Sequence, residues 1–474
     1  MQVRIRKFTF EDIPLKIEWI NNPENNQYLH YELPLEYEKT CNWFKKNRER
    51  RDRYDAVIEA DGKPVGLIGL LSIDGKSAEY YVSMGDPAYK GRGVASDASE
   101  CLLEYAFRTL KLEQVYLYTE TGNLAAQKLF ARIGFRENGI LKKDAVNRGK
   151  PVDRYIYVMD KKEYLLSHGM TPIQALGEIE GNQVYVKRED LIPYSFGGNK
   201  ARKGKLFFQE IDRGGYDCVV TYGSSHSNHC RIIANMAAAR EMPCYLIGPA
   251  ESAEPTFNSR LMELFGAKLK VVPVEEVHDT IEAQLEELRQ AGKHPYFIPG
   301  GGHGNIGTEA YVQCYDEICA YEELTHKKFD SIFLASGTGT TQAGLICGQL
   351  LHGDERQILG ISIARKNPRG RDVVLESVRD YLAACDAHIS EEEIQEKTVF
   401  PDEYTGSGYA GKNEEIQALI GQTMIKYGLP LDSTYTGKAF CGMQHYLREN
   451  GITGKKILFL HTGGTPLFFD DLGE

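Results

Sequence analysis

Lys200 stands in the run SFGGNKARK, Ser195–Lys203, separated from a glycine pair by a single asparagine. Such a pair adopts backbone angles closed to other residues and lets the main chain approach a ligand. A lysine presented by that turn forms a Schiff base with a carbonyl compound once its amine is partly desolvated. Taken alone, Gly-Gly-x-Lys is a weak motif and reads first as a basic surface turn. Three further stretches give it chemistry to join. In SSHSNHCRIIANMAAARE, Ser227 and Asn228 open a helix of small residues, where amides and side-chain donors receive a carboxylate. Plain helix capping uses the same two residue types. In FDSIFLASGTGTTQAGLICGQL an apolar strand runs into Gly337, Thr338, Gly339, Thr340 and Thr341, and a helix follows. Backbone amides and hydroxyls surround a phosphate dianion in such a turn. The turn lacks the lysine of a nucleotide P-loop, which argues against ATP. Near the N-terminus a second glycine-rich turn, Lys90, Gly91, Arg92, Gly93, Val94 and Ala95, leads from a strand into a helix and suits a pyrophosphate. His226 and His229 have no further ligands at suitable spacing, so no metal site is read.

Positioning these groups takes more than one core: 474 residues imply two or three domains. The composition, 42% hydrophobic and 26% charged, is that of a globular protein. No stretch has the apolar length to cross a bilayer, and MQVRIRKFTFEDI lacks the apolar core of a signal peptide. The ten cysteines are scattered without a C-x-x-C pair, the usage of a reducing cytosol, so a cytoplasmic location is expected. Residues 1–166 carry 27 Lys and Arg against 25 Asp and Glu, and the remainder carries 29 against 42. Neither part is basic enough for phosphate-backbone binding, so neither nucleic acid nor a membrane is expected as a partner.

The first 166 residues open with a strand, VRIRKFTF, and a helix from about Glu11. Two strand-like runs follow, YDAVIEADGKPVGLIGLLSID and KSAEYYVSMGD, with a hairpin turn between Asp61 and Lys63. After AYKGRGVASDASECLLEYAF come a strand VYLYTE, the segment NLAAQKLFARIGF, and a strand near Tyr155 to Met159. This order, the turn Lys90–Ala95, Asn123 and the IGF of Ile133–Phe135 resemble the GNAT acetyltransferases, in particular the ribosomal-protein and amino-sugar N-acetyltransferase branch. The resemblance implies an acetyl-CoA-binding domain over residues 1–166, with Lys90–Ala95 and Asn123 binding the cofactor and an amine as acceptor. Phe130 stands where many members carry a tyrosine that protonates the leaving thiolate, and a phenyl ring has no proton to give. Glu79 is a candidate base acting through water, or simply an exposed strand residue.

A charged run and Gly169 suggest a short helix and a stop, and Pro172 begins the second domain, residues 167–474. There, strands and helices alternate through NQVYVKREDL, GYDCVVTYG, CYLIGP, FNSRLMELFGA and KLKVVP, the pattern of a parallel sheet wrapped by helices. With KRED, FGGNKARK, SNH, SGTGTTQAG, LDSTYTGKAF and LFLHTGGTP in this order, about the last 300 residues resemble the fold-type II pyridoxal-phosphate enzymes. That fold is tryptophan synthase beta-like, and within it the resemblance is to the D-cysteine desulfhydrase and 1-aminocyclopropane-1-carboxylate deaminase group. The resemblance implies that Lys200 carries pyridoxal 5'-phosphate, with Asn199, Gly337–Thr341 and Thr462 as cofactor contacts. It implies that Ser227, Asn228 and His229 meet the substrate carboxylate, and that Tyr409 and Tyr435 face the substrate.

Two positions bear on the reaction. The deaminase branch has a glutamate directly after the tyrosine of STYTGK and an aliphatic residue in HTGG, whereas this chain has Thr436 and Thr462. Threonine at both is the desulfhydrase pattern. Without a carboxylate partner the pyridine ring stays neutral and is a weaker electron sink, sufficient for β-elimination from a small D-amino acid but not for opening a cyclopropane. Both threonines serving only as packing is the competing reading. The expectation is a bifunctional, homodimeric enzyme that releases pyruvate, ammonia and sulfide from a substrate such as D-cysteine and N-acetylates an amine. The alternatives are β-replacement, racemisation or 1-aminocyclopropane-1-carboxylate deamination, with the first domain a non-catalytic acetyl-CoA-binding or dimerising module.

Overall fold

The computed structural model describes residues 3–168, 170–405 and 413–472. The chain divides into two compact units, Met1–Met170 and Thr171–Glu474.

The N-terminal unit is built on one seven-stranded sheet in the order β1-β2-β3-β4-β5-β7-β6. Its strands are β1 Val3–Lys7, β2 Tyr54–Ala60, β3 Lys63–Leu71, β4 Ser77–Met84, β5 Gln114–Glu120, β6 Arg136–Asn147 and β7 Lys150–Asp160. All neighbours are antiparallel except β4 and β5, which run parallel and pair over only three positions, ending at Glu79 and Tyr116. Beyond that point both strands continue, to Met84 and Glu120, and the sheet opens between them. In β5, Val115, Leu117 and Thr119 are buried and alternate with half-exposed residues, as expected of a strand with one face in a core. The helix Val94–Glu104 starts at Gly93, whose φ of +88° is left-handed and disfavours any residue with a Cβ. The sequence reading expected one final strand near Tyr155; the chain folds instead as a β6–β7 hairpin, and a helix at Tyr37–Asn47 was not anticipated.

The C-terminal unit holds two sheets. One is wholly parallel, β12-β11-β10-β13, from β10 Cys218–Tyr222, β11 Cys244–Pro249, β12 Lys268–Val272 and β13 Pro295–Phe297. The other is β15-β14-β16-β9-β8, from β8 Ile173–Ile179, β9 Asn182–Arg188, β14 Ser331–Ser336, β15 Gln357–Ser362 and β16 Lys456–His461. It is parallel apart from the β8–β9 hairpin. Every residue of β14 and all but the first of β16 are buried, which is why both read as unbroken apolar runs in a sheet covered on both faces. Ile332, Leu334, Ile358, Leu458 and Leu460 meet helix residues such as Tyr311, Ile346 and Val378 in a shared core, each aliphatic side chain contributing about 1.5–3 kcal/mol. No helix among the described residues is long and apolar enough to cross a membrane.

Candidate active site

The residues Ser195–Gly198 all have positive φ, at 37°, 62°, 58° and 99°. Two of them carry side chains, so the turn is strained, and strained turns concentrate at functional sites. A Cβ on Gly198 would sit 2.7 Å from the Thr462 carbonyl oxygen, so only glycine lets this turn lie against the end of β16. The helix Asn199–Gly214 springs from the turn, and the Asn199 amide donates to Thr462 O at 2.9 Å. Asn199 Nδ2 donates to Thr341 Oγ1 at 3.0 Å, tying the lysine turn to the Gly337–Thr341 turn. Three residues along, Arg202 is clamped by Glu189 (2.6 Å) and Glu317 (2.7 Å), and Lys187 by Glu317 (2.9 Å). This buried ion cluster fixes the first turn of the helix, and with it Lys200.

A cavity of about 350 Å³ opens at this point. Its wall includes Asn199, Lys200, Ser227, Asn228, His229, Gly337, Thr338, Gly339, Thr341, Tyr435 and Thr462, which the topology draws from five separate segments. Among the described residues no carboxylate lines it. Lys200 Nζ donates to Gly301 O at 3.0 Å, and burial lowers its pKa to about 8. About a tenth of the amine is therefore uncharged at pH 7 and about half at pH 8, the form that attacks a carbonyl. Ser227 caps the helix Asn228–Ala238: its Oγ accepts from the Cys230 amide at 3.1 Å, and its hydroxyl hydrogen stays available to the cavity. Capping and ligand contact are thus compatible roles for one side chain. His229 Nε2 meets Thr221 Oγ1 at 2.9 Å, and that hydroxyl donates to Ile298 O. The hydroxyl must therefore accept from Nε2–H, which leaves the lone pair on Nδ1, a buried atom without a partner. Burial, with Lys200 and Lys203 nearby, pushes the imidazole pKa well down and keeps the ring neutral.

Whether these residues suit a phosphorylated carbonyl cofactor can be tested on unsatisfied groups. Thr340 Oγ1 is buried without a hydrogen-bond partner beside the glycine–threonine turn, and it lies off the cavity wall. Lys203 is 1% exposed, meets only Gly301 O at 3.4 Å and has no acid partner among the described residues. Burial and the neighbouring Lys200 depress its pKa strongly. Neither residue lines the cavity, so the fit rests on the wall itself: the Gly337–Gly339 turn with the Thr338 and Thr341 hydroxyls at a helix start is a donor set that suits a dianion. Lys203, Arg231, Arg365 and Tyr222 were given no role from the sequence; a cation at helical spacing looks solvent-exposed until its burial is known.

Two assignments need correction. Thr436 does not reach the cavity: its hydroxyl donates to Asp432 Oδ2 at 2.7 Å and accepts from the Asp432 amide, so it is spent on holding the start of the helix Thr436–Glu449. Arg92 lies outside the wall of the N-terminal cavity, its exposed guanidinium 5.7 Å from the centroid of the Tyr89 ring. Tyr409 lies outside the described residues.

The N-terminal unit has its own cavity of about 810 Å³, where β4 and β5 part. Lys90, Gly91, Gly93, Val94, Ala95 and Asn123 line it, so the glycine turn and the first amides of the helix Val94–Glu104 face open space. Lys90 Nζ is held by Asn25 Oδ1 at 2.6 Å. Glu79 lines the same cavity, and burial raises its carboxyl pKa. Phe130 packs edge-on against Tyr80, with ring centroids 6.1 Å apart, and near Phe135 and Tyr157. Tyr80 does not replace a missing proton donor, because its hydroxyl is buried on Ser99 Oγ at 2.6 Å.

Comparison with known proteins agrees with this division. Residues 164–463 match the family described as pyridoxal-phosphate dependent enzyme, and residues 2–136 match the acetyltransferase (GNAT) domain. The D-cysteine desulfhydrase of Serratia proteamaculans is 33% identical over 321 residues, covering 63% of this chain and 92% of that protein. A putative 1-aminocyclopropane-1-carboxylate deaminase of Pyrococcus horikoshii is 34% identical over 300 residues, covering 62% of this chain and 89% of the relative. Among solved structures, an ACC deaminase homologue superposes with a TM-score of 0.58 at 29% identity, covering 66% of this chain and 98% of its own.

Proposed function

The chain belongs to the pyridoxal-phosphate dependent enzymes and carries an acetyltransferase (GNAT) domain ahead of that region, and from this we propose that its C-terminal unit eliminates a β leaving group from a small D-amino acid. D-cysteine is the model substrate. Bound pyridoxal phosphate would supply the electron sink that makes the α proton of an amino acid removable. The observation that carries the reading is Lys200: a buried amine with its pKa lowered to about 8, facing a cavity free of carboxylates, beside the donors Ser227 and Asn228. Lys200 would hold the cofactor; the turn Gly337–Thr341, with the Thr338 and Thr341 hydroxyls on the cavity wall, would receive its phosphate. The Ser227 hydroxyl and the Asn228 amide would bind the substrate carboxylate, fixing which face presents its α proton to Lys200. Lys200, freed from the cofactor by the incoming substrate amine, would accept that proton, and with departure of the thiolate from the β carbon an enamine acid would form, which water would convert to pyruvate and ammonia, with sulfide released. Elimination rather than ring opening is favoured by Thr462, the wall residue at one of the two branch positions, and by the lack, among the described residues, of an acid in the wall that would protonate a pyridine ring. The thiols of all ten cysteines are free, in keeping with a reducing cytoplasm.

For the N-terminal unit we propose acetyl-CoA binding on the turn Lys90–Ala95. Phe130 favours a second reading for its chemistry: a domain that binds acetyl-CoA and transfers acetyl slowly or not at all, since no tyrosine stands at that position. Purified protein incubated with D- and L-amino acids, with and without acetyl-CoA, and followed by mass spectrometry tests both readings. Pyruvate from D-cysteine is expected. A new β-substituted amino acid would establish replacement instead, and L-cysteine would establish racemisation.

A further inference from the structure

Three buried cations of the C-terminal unit are matched by acids. Lys187, Arg202 and Arg356 each meet at least one carboxylate at 2.9 Å or less. Arg231 does not. It is completely buried on the helix Asn228–Ala238, and no carboxylate partners it among the described residues. Its Nη1 donates to Ser195 Oγ and its Nη2 to Asn228 Oδ1, both at 3.2 Å, while Nε has no partner. Burying a guanidinium this way is costly unless an anion arrives to offset it.

The second donor on Asn228 shows where that anion sits. Asn258 is fully buried, and its Nδ2 donates to Asn228 Oδ1 at 3.0 Å and to His226 O at 3.0 Å. Asn228 Oδ1 thus accepts from two donors on its protein side. A flipped amide would press its hydrogens against those donors, so the orientation is fixed and the NH2 group is left for the cavity that Asn228 lines. We propose that Arg231 is a positioning residue and the distal counter-charge of the substrate carboxylate: with Asn258 it locks the Asn228 amide, and through that amide its charge reaches the carboxylate. The contact with Ser195 extends the same hold to the strained turn that carries Lys200. Burial lowers the guanidinium pKa to about 9, as expected for a cation still lacking its anion.

This inference rests on the reading that Asn228 meets the carboxylate, and the test separates the two. The absorption band of full-length protein with cofactor bound is titrated with D-alanine, which has no β leaving group, and with ethylamine, which is D-alanine without its carboxylate. The unsubstituted protein should favour D-alanine. Arg231→Met should weaken D-alanine by about tenfold or more, the loss expected for a hydrogen bond from a charged group, while ethylamine changes less than about twofold. Arg231→Lys should restore part of the preference, and Asn258→Ala should reduce it less than Arg231→Met does. If Arg231→Met loses its cofactor or melts early, the other two variants decide. Equal weakening of both ligands, or of neither, overturns the role given to Arg231. If the unsubstituted protein itself does not distinguish D-alanine from ethylamine, the carboxylate anchor at Asn228 falls, and the inference with it.

Discussion

The cavity of the C-terminal unit brings together a buried amine, a capped helix start and a glycine–threonine turn, each within reach of one small molecule. The cavity of the N-terminal unit has the matching glycine turn and helix start, but a phenyl ring packed among aromatics where a proton donor is expected. In the proposed reading both cavities would hold anions by the same means, backbone amides at the start of a helix. They differ in side-chain chemistry. In the first, burial lowers the pKa of an amine; in the second, burial raises the carboxyl pKa of the half-buried Glu79, which lines the cavity. Binding by backbone turns would outlast the loss of a single side-chain hydroxyl, whereas in the proposed reading acetyl transfer depends on that hydroxyl.

The difference can be broken first at Lys200. Lys200→Ala should cut pyruvate formation by on the order of a thousandfold or more, as for loss of a catalytic base, and should abolish borohydride fixation of the cofactor. A covalent, borohydride-reducible adduct surviving in that variant would place the cofactor on another residue. In the N-terminal unit the corresponding change is Phe130→Tyr. It should raise acetyl transfer by at least about tenfold, at the low end for a general acid, and leave acetyl-CoA affinity unchanged. An unchanged rate across a broad amine panel would show that more than the hydroxyl is missing. Gly93→Glu should then lower acetyl-CoA affinity by about tenfold, because the glutamate fills the turn, strains a φ of +88° and repels the phosphates. Equal affinities by calorimetry would put the pyrophosphate elsewhere.

What could be read from the sequence follows the same line. The turns at Gly197–Gly198, Gly337–Thr341 and Gly91–Gly93 were legible because glycine and threonine at a strand end have few other uses. The parallel sheets were legible because strands buried on both faces are continuous apolar runs, as in FDSIFLAS. The β6 strand was not, since its first nine residues are exposed and leave no alternation to detect. Nor was the insertion of β16 between β14 and β9, a pairing across more than a hundred residues of chain. Thr436 shows the limit most plainly. Its neighbour in sequence, Tyr435, lines the cavity, but the helix start turns the threonine toward Asp432, four residues back. Asp432, buried with its pKa raised to about 6, needs that hydroxyl. Thr436→Val should therefore cost about 1–3 kcal/mol in denaturant unfolding, the loss of a hydrogen bond to a buried carboxyl, while substrate preference stays as it was. A changed preference with unchanged stability would return Thr436 to the site.

The cavity around Lys200, in which no carboxylate stands among the described residues, should direct elimination from a D-amino acid. Pyruvate release by the purified, cofactor-loaded protein, measured under equal conditions with D-cysteine, L-cysteine and 1-aminocyclopropane-1-carboxylate, tests it most directly. The account predicts the fastest release from D-cysteine, because the Ser227 and Asn228 anchor turns the α proton of the other enantiomer away from Lys200 and a neutral ring opens a cyclopropane poorly. Comparable or faster release from L-cysteine or from the cyclopropane amino acid would contradict it.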